Sequence, residues 1–117
     1  MDTQVVRRCY FSAAIKNHRE EYSGHNFILE AYVSGPVQPD TGMILSIKSL
    51  DEVLFRTTQK LDHTLLNTKS SELLAQQCLD EVRESLSPLK SLILRKIRLY
   101  ETEDFWVDCG PNIKAEI

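Results

Sequence analysis

The sequence predicts an α+β domain in which two helices cover one face of a four-stranded antiparallel sheet. Segments near both ends of the chain alternate apolar and polar residues, which is typical of half-buried strands. Two central segments instead place apolar residues at helical spacing. Because 117 residues is the length of one ordinary domain, we expect residues 1–117 to form a single unit with the element order ββααββ.

The first two elements are predicted strands, followed by a loop. Residues 4–14 carry β-branched and aromatic side chains at period two, and residues 25–34 alternate in the same way. The expected buried face of the second strand consists of His25, Phe27, Leu29, Ala31 and Val33. Residues 35–42 contain two glycines and two prolines, which indicates a loop.

The two central elements are predicted helices. Ser49 is followed three residues later by Glu52, which is the pattern of a capping box, so the first helix is expected from Ser49 to about Leu61. The second helix is expected to begin near Ser70, whose hydroxyl can accept from free backbone amides. Pro88 follows the end of its apolar stripe.

The last two elements are predicted strands, at residues 91–102 and 105–109, and the acidic pair between them indicates a hairpin turn. A sheet covered on one side only leaves an open face and two edges. We therefore expect these surfaces to be used in self-association.

Composition excludes several classes of protein. The formal charge of −3 provides no basic field for a nucleic-acid backbone, so no nucleic-acid partner is expected. No apolar run reaches the roughly 20 residues of a membrane helix, which predicts a cytoplasmic protein without membrane contact. The odd number of cysteines, without a CxxC spacing, predicts reduced thiols at Cys9, Cys78 and Cys109.

Six short segments, in a fixed order, point to a known family. They read FSAA at 11–14, GHNF at 24–27, DTGMI at 40–44, LDH at 61–63, SSELLA at 70–75 and YET at 100–102. Together they resemble the 6-pyruvoyl tetrahydropterin synthase and 6-carboxytetrahydropterin synthase family over nearly the whole chain. The resemblance implies a tunnelling fold, a homohexamer of two stacked trimers, and sites between subunits.

The family's zinc site is changed in this sequence. The resemblance implies three histidine ligands, but the corresponding positions are Ile15, Ser23 and His25, and the family's loop cysteine is missing. Isoleucine and serine are not ordinary zinc ligands. We therefore expect no resident cofactor, with zinc as the alternative if His18 and a nearby glutamate rebuild a mixed site around His25.

Two residues of the LDH segment are candidate catalytic groups. The resemblance implies that Asp62 and His63 form a hydrogen-bonded pair that takes part in proton transfer. A carboxylate beside an imidazole fixes its tautomer and raises the basicity of its other nitrogen. The alternative is that Asp62 only closes the first helix.

The retained ligand-binding positions are Glu101 and the start of the second helix. The resemblance implies that Glu101 anchors a pterin ring, and a carboxylate can accept two parallel hydrogen bonds from such a ring. It also implies that Ser70, Ser71 and Glu72 approach the ligand from a neighbouring subunit. The alternatives are an exposed strand-end glutamate and simple helix capping.

These observations predict a divergent family member that binds a pterin or related purine-like heterocycle without the family's zinc-dependent reaction. One alternative is an active zinc-dependent lyase that eliminates triphosphate in pterin or queuosine-precursor biosynthesis, with a rebuilt metal site. Another alternative is a non-catalytic oligomeric scaffold.

Overall fold

The computed structural model describes residues 2–111 and residue 113, and its strands form one sheet beneath two helices. The elements are β1 (Asp2–Lys16), β2 (Tyr22–Pro36), α1 (Ile47–Leu61), β3 (Thr64–Leu66), α2 (Ser71–Leu86), β4 (Ile93–Thr102) and β5 (Phe105–Cys109). The α+β class, the two helices and the four long strands are confirmed. Neither helix is long and apolar enough to cross a bilayer.

The sheet differs from the prediction by one strand. Its order is β3-β1-β2-β4-β5. The β1–β2, β2–β4 and β4–β5 pairs are antiparallel, as expected, and the additional strand β3 pairs with β1 in parallel. The sheet is therefore mixed and five-stranded rather than purely antiparallel and four-stranded. A strand of three residues shows no usable alternation in a sequence, which explains why the pattern missed it.

The hairpin of β1 and β2 determines which residues face each other at the end of the sheet. Its register places Ile15 opposite Ser23 and Ala13 opposite His25. The intervening turn is ordered by the side-chain oxygen of Asn17, which accepts hydrogen bonds from two backbone amides at 2.8 and 3.1 Å. Positions 15, 23 and 25 consequently lie side by side on one face.

Both helices begin at a serine cap. Ser46, not Ser49, caps α1, because its hydroxyl oxygen accepts from the Ser49 amide at 3.1 Å. The predicted capping box was therefore placed one turn too late, since either serine satisfies the residue preference of a cap. The Ser70 hydroxyl accepts from the Leu73 amide at 3.2 Å, which confirms the predicted start of α2.

The core lies between the helices and one face of the sheet. Full burial of each large apolar side chain contributes roughly 1.5–3 kcal/mol, so this layer supplies the main stabilisation. Its fully buried members include Phe27, Leu29, Val33, Leu54, Leu61, Leu74, Val82, Ile97 and Leu99. The alternation expected for β2 is confirmed.

Within the part of the chain that the structure describes, the opposite face of the sheet is covered only by side chains of the sheet itself. Arg8 donates twice to Glu30, at 2.6 and 2.9 Å, and leaves Glu30 only 6% exposed. Arg98 donates to both oxygens of Asp108 at 2.7 and 3.0 Å, and Lys96 adds a contact at 3.2 Å. These cations lower the pKa of Asp108, Arg98 most strongly, so this open face is charged and ordered.

Candidate functional site

Four polar side chains from three elements meet near the end of the sheet. The Ser23 hydroxyl lies 2.6 Å from Nε2 of His25, and that nitrogen lies 3.8 Å from Oε1 of Glu101. The same Glu101 oxygen accepts a 2.7 Å hydrogen bond from the Ser71 hydroxyl. Ser23, His25, Ser71 and Glu101 are called the Glu101 cluster below.

Local backbone features direct Glu101 and Ser71 towards each other. The pairing of β4 with β5 shifts in register between Tyr100 and Thr102, so Glu101 lies at an irregularity of the kind that redirects a side chain. Ser71 is the first residue of α2 and is only 2% exposed, because the helix start packs onto the sheet. The contact therefore joins residues 30 positions apart in the chain.

The Glu101 cluster leaves hydrogen-bonding capacity for a ligand. Glu101 keeps 24% of its side chain exposed, and no described residue donates to its Oε2 atom within hydrogen-bonding distance. A carboxylate oxygen without a donor is a strong acceptor for a planar ligand with adjacent N–H groups. His25 is held by Ser23 and by an edge contact with Phe27, whose ring centroid lies 5.5 Å away.

The residues at the three positions that the family resemblance assigns to zinc do not fit a three-imidazole metal centre. They cluster as the strand geometry predicts, since Ile15 faces Ser23 and Ser23 contacts His25. Ile15 is 5% exposed and belongs to the apolar core, where it offers no donor atom. Among the described residues, no group of three histidines, cysteines or acidic residues could hold a metal ion.

The structure does not bring His18 into a rebuilt metal site. His18 is exposed in the turn between β1 and β2, and it shares no metal-competent cluster with His25 among the described residues. The carboxylate of Glu20 instead pairs with Lys16 along the same turn. Within one chain, the mixed ligand set considered from the sequence forms no metal-competent group among the described residues.

The cysteines provide no activated thiol. Cys9, Cys78 and Cys109 are free thiols, as predicted. Burial raises the pKa of Cys9 to about 12 and raises the pKa of Cys78 further. A thiolate is the reactive form of cysteine, so these buried thiols are unsuited to nucleophilic or base chemistry.

Asp62 and His63 form the predicted pair and also terminate α1. Asp62 caps the helix, and its two oxygens accept from the Ser12 amide at 2.8 Å and from Nδ1 of His63 at 2.9 Å. The first bond, then the second, lowers the pKa of Asp62 below its ordinary value. The His63 amide donates to the Ser12 carbonyl at 2.6 Å, which aligns β3 with β1.

The backbone of Ser12 is a positioning element that the sequence did not reveal. It belongs to the FSAA segment, whose match to the family was the available signal, but its partners are 50 residues away. Through Ser12 the turn holds His63 at a backbone φ of 57°, a left-handed conformation that few non-glycine residues adopt. The imidazole remains 83% exposed, with Nε2 free of any hydrogen bond to the described residues.

An open cleft of about 400 Å³ is lined by one residue of the Glu101 cluster, His25, and by one residue of the Asp62–His63 pair, His63. It is lined by residues 12–14, 24–26 and 63–65, so His25 and His63 border the same space. Glu101 does not line this cleft, but its Oε1 atom lies 3.8 Å from Nε2 of His25, which does. The cleft is large enough for a bicyclic heterocycle and remains open to solvent.

The start of α2 contributes one of its three predicted residues to the Glu101 cluster. Ser71 contacts Glu101 of its own chain, and the expected approach of this helix start from a neighbouring subunit stays a prediction. Ser70 acts as the helix cap, and Glu72 is exposed in the first turn. The reason is that α2 packs against β4 within one chain, so its buried first residue reaches the end of that strand.

The chain is similar to known proteins of one family. A family model described as 6-pyruvoyl tetrahydropterin synthase matches residues 5–112. A putative 6-carboxy-5,6,7,8-tetrahydropterin synthase from Archaeoglobus fulgidus is 34% identical over 106 residues, covering 84% of this chain and 87% of that protein. A 6-pyruvoyl tetrahydrobiopterin synthase from Dictyostelium discoideum is 32% identical over 90 residues, covering 72% of this chain and 67% of that protein.

A solved structure shares the fold. The 6-pyruvoyl tetrahydropterin synthase of Caenorhabditis elegans superposes with a TM-score of 0.85, covering 96% of this chain and 97% of that one. Its sequence identity to this chain is 19%. The tunnelling fold predicted from the six segments is thereby confirmed.

Proposed function

The chain belongs to the 6-pyruvoyl tetrahydropterin synthase family, and from that premise we propose that it binds a pterin or related purine-like heterocycle through Glu101. The observation that carries this proposal is the 2.7 Å hydrogen bond from Ser71 to Glu101. This bond orients the carboxylate and leaves Oε2 for the ligand. The 2-amino group and adjacent ring nitrogen of a pterin can then donate to the carboxylate in parallel.

The proposal excludes the zinc-dependent step in the form that the family resemblance implies. Ile15 and Ser23 supply no imidazole, and the hydroxyl of Ser23 already occupies Nε2 of His25. In this proposal, His25 orients the ligand or a water molecule as a polar contact. No resident cofactor is required for binding.

Asp62 and His63 are the groups proposed to move a proton if a reaction remains. The Nδ1 atom of His63 donates to Asp62, which leaves the lone pair on Nε2 for a proton from the ligand. Because the imidazole is 83% exposed in one chain, a neighbouring copy is needed to exclude water from it. A homohexamer of two stacked trimers in the cytoplasm, with neighbouring copies closing the cleft, completes the proposal.

A fluorescence titration tests the ligand. Neopterin and biopterin are added to the native oligomer, and Glu101→Gln is expected to weaken binding roughly 10- to 100-fold because a charge-assisted hydrogen bond is lost. Glu103→Gln removes an exposed carboxylate two residues away and serves as the matched control. If neither pterin binds the unmodified protein, the role of Glu101 as a pterin anchor is wrong.

Metal analysis tests the second candidate, an active zinc-dependent synthase. This candidate is favoured by the synthase names of the curated relatives. It requires His18 or a neighbouring copy to complete a ligand set around His25. Protein purified without chelators is expected to contain far less than one zinc per chain, and about one zinc per chain would support the synthase instead.

A further inference from the structure

The chain contains four glycines, and the fold itself explains three of them. Gly42 has a backbone φ of 71°, a conformation that residues with a side chain rarely adopt. A Cβ atom at Gly35 would lie 2.9 Å from a side-chain atom of Leu92, and one at Gly110 would lie 2.5 Å from the carbonyl oxygen of Arg95. Backbone conformation or close packing therefore requires glycine at these three positions.

Gly24 is the exception. Its φ lies outside the left-handed region, and a Cβ atom there would have no atom of the described residues within 4 Å beyond its chain neighbours. Gly24 lies inside β2, where glycine is less stable than alanine because it loses more conformational freedom on folding. Glycine within a strand often marks the close approach of a ligand or of another backbone. The space next to Gly24 is therefore the feature that this glycine keeps open.

That space belongs to the cleft lined by residues 12–14, 24–26 and 63–65. Ala14 is the direct cross-strand partner of Gly24, so the two residues share one face of the sheet, and neither carries a side chain beyond Cβ. Leu65 of β3 pairs with Ala14 on its other side and is 70% exposed. Ala14 and Gly24 thus form a flat floor with an apolar border.

Two polar groups beside this floor are oriented by the protein itself. The Ser12 hydroxyl donates to Oδ1 of Asn26 at 2.7 Å, and no described residue accepts a hydrogen bond from the Asn26 Nδ2 group. Nδ1 of His63 donates to Asp62 at 2.9 Å, which leaves Nε2 as an acceptor. A free donor and a free acceptor beside a flat floor are complementary to a planar heterocycle, whose edge carries acceptors and N–H groups.

We propose that Gly24 is a specificity-determining residue of this cleft, because a planar heterocyclic ring lies flat on Gly24 and Ala14. Asn26 donates to the edge of the ring, and His63 faces it. The inference rests on the proposed function, since the ring is that of the pterin or purine-like ligand. A side chain at position 24 would occupy the space that the ring needs without disturbing the strand.

Replacement of Gly24 tests this assignment, because affinity and stability are expected to change in opposite directions. Gly24→Val is expected to weaken neopterin binding about tenfold or more, measured by pterin fluorescence. Its urea midpoint should be unchanged or higher, since a β-branched residue favours a strand. Gly24→Ala should lose less affinity because it adds one carbon. Thr3→Val, at an exposed position of β1 outside the cleft, is the matched control and should bind as the unmodified chain does.

The glycine amide signals in a nuclear magnetic resonance spectrum show whether a ring reaches the floor, independently of Glu101. Protein labelled with nitrogen-15 only at glycine gives four backbone amide signals, and Gly24→Ala identifies that of Gly24 by its loss. Neopterin is expected to shift the Gly24 signal more than that of Gly110, which lies outside the cleft. Adenine is the second planar probe, because it lacks the 2-amino group from which Glu101 would accept.

The outcomes separate this inference from the proposed function. If Gly24→Val binds neopterin as tightly as the unmodified chain, or if neither ring shifts the Gly24 signal, the role assigned to Gly24 is wrong. The pterin anchor fails separately, when Glu101→Gln binds neopterin as the unmodified protein does. A Gly24 shift caused by adenine, without binding of neopterin, would retain the flat floor and reject the anchor.

Discussion

His25 of the Glu101 cluster and His63 of the Asp62–His63 turn line one cleft, but the fold holds the two groups in different ways. In the cluster, side chains from β2, α2 and β4 contact one another, and His25 and Glu101 are only 19% and 24% exposed. In the turn, Asp62 and His63 are fixed by the backbone of Ser12, while the imidazole is 83% exposed.

Under the proposed function, this difference separates the residues assigned to ligand recognition from those assigned to proton transfer. A single chain already orients the carboxylate of Glu101, so recognition can be preorganised before assembly. The imidazole of His63 has a fixed backbone and a solvated reactive nitrogen, so its chemistry depends on what covers it. We infer that assembly matters more to the turn than to the cluster.

The largest expected effect comes from converting the cluster into a metal site. Ile15→His combined with Ser23→His places three imidazoles at positions that the β1–β2 register brings together. The double variant is expected to bind about one zinc per chain, because three imidazoles with one open position form a stable tetrahedral set. Metal content after dialysis measures this.

Ser23→His alone is the control for the double variant, because it supplies only two imidazoles. If the double variant is folded and takes up no more zinc than Ser23→His, positions 15, 23 and 25 do not converge as the strand register indicates.

The next effect concerns the buried contact of the cluster. Ser71→Ala is expected to lower the free energy of unfolding by about 1.5–3 kcal/mol, because a partly buried carboxylate loses its donor. Ser70→Ala removes only a helix cap and is expected to cost about 1 kcal/mol. Urea denaturation compares the two variants, and a larger loss for Ser70→Ala would contradict the role assigned to Ser71.

A third prediction uses pH to examine the turn. The pKa of Asp62 is lowered below its ordinary value of 3.8, first by the Ser12 amide and then by His63. A carboxylate with a lowered folded-state pKa adds stability above its unfolded pKa, and this stability is lost as pH falls through the folded value. Asp62→Asn should therefore flatten the loss of stability as the pH falls below about 4, as measured by urea midpoints.

Asp104→Asn is the matched control for this pH experiment, because its carboxylate lies in the exposed β4–β5 turn and accepts no hydrogen bond from the described residues. If stability falls equally at acid pH in Asp62→Asn and in the unmodified protein, the Ser12 and His63 contacts do not contribute to the pH dependence of stability in solution.

The smallest expected effect concerns the left-handed backbone of His63. Both His63→Gly and His63→Ala remove the imidazole, but only glycine adopts a φ of 57° without strain. The glycine variant is expected to be more stable than the alanine variant by about 1 kcal/mol. Thermal unfolding of the two variants measures the difference, and a more stable alanine variant would argue against the left-handed conformation.

Much of the fold follows from patterns that are local in the chain. Alternation in β2 identified its buried face, and Ser70 identified the start of α2, because side-chain direction and capping depend on near neighbours. Where two local solutions were equally good, as with Ser46 and Ser49, the pattern chose the wrong serine. The strand β3 has only three residues, which is too short for a pattern of alternation to identify it.

The candidate site was predictable only as a set of positions. The six family segments pointed to Glu101 and to the Asp62–His63 pair, and strand periodicity placed residues 23 and 25 on one face. Their partners were not predictable, because no local pattern connects Ser71 to Glu101 or Ser12 to Asp62.

Residue order was sufficient for most element types and apolar faces, since each depends on residue identity and short-range spacing. The contacts that give these positions a role arise only when distant segments pack together. Packing placed Ser71 against Glu101, and it left Thr57 and Glu81 as unpartnered polar groups between two helices. The physical reason is that hydrogen bonding and burial depend on distances in space, which separation along the chain does not determine.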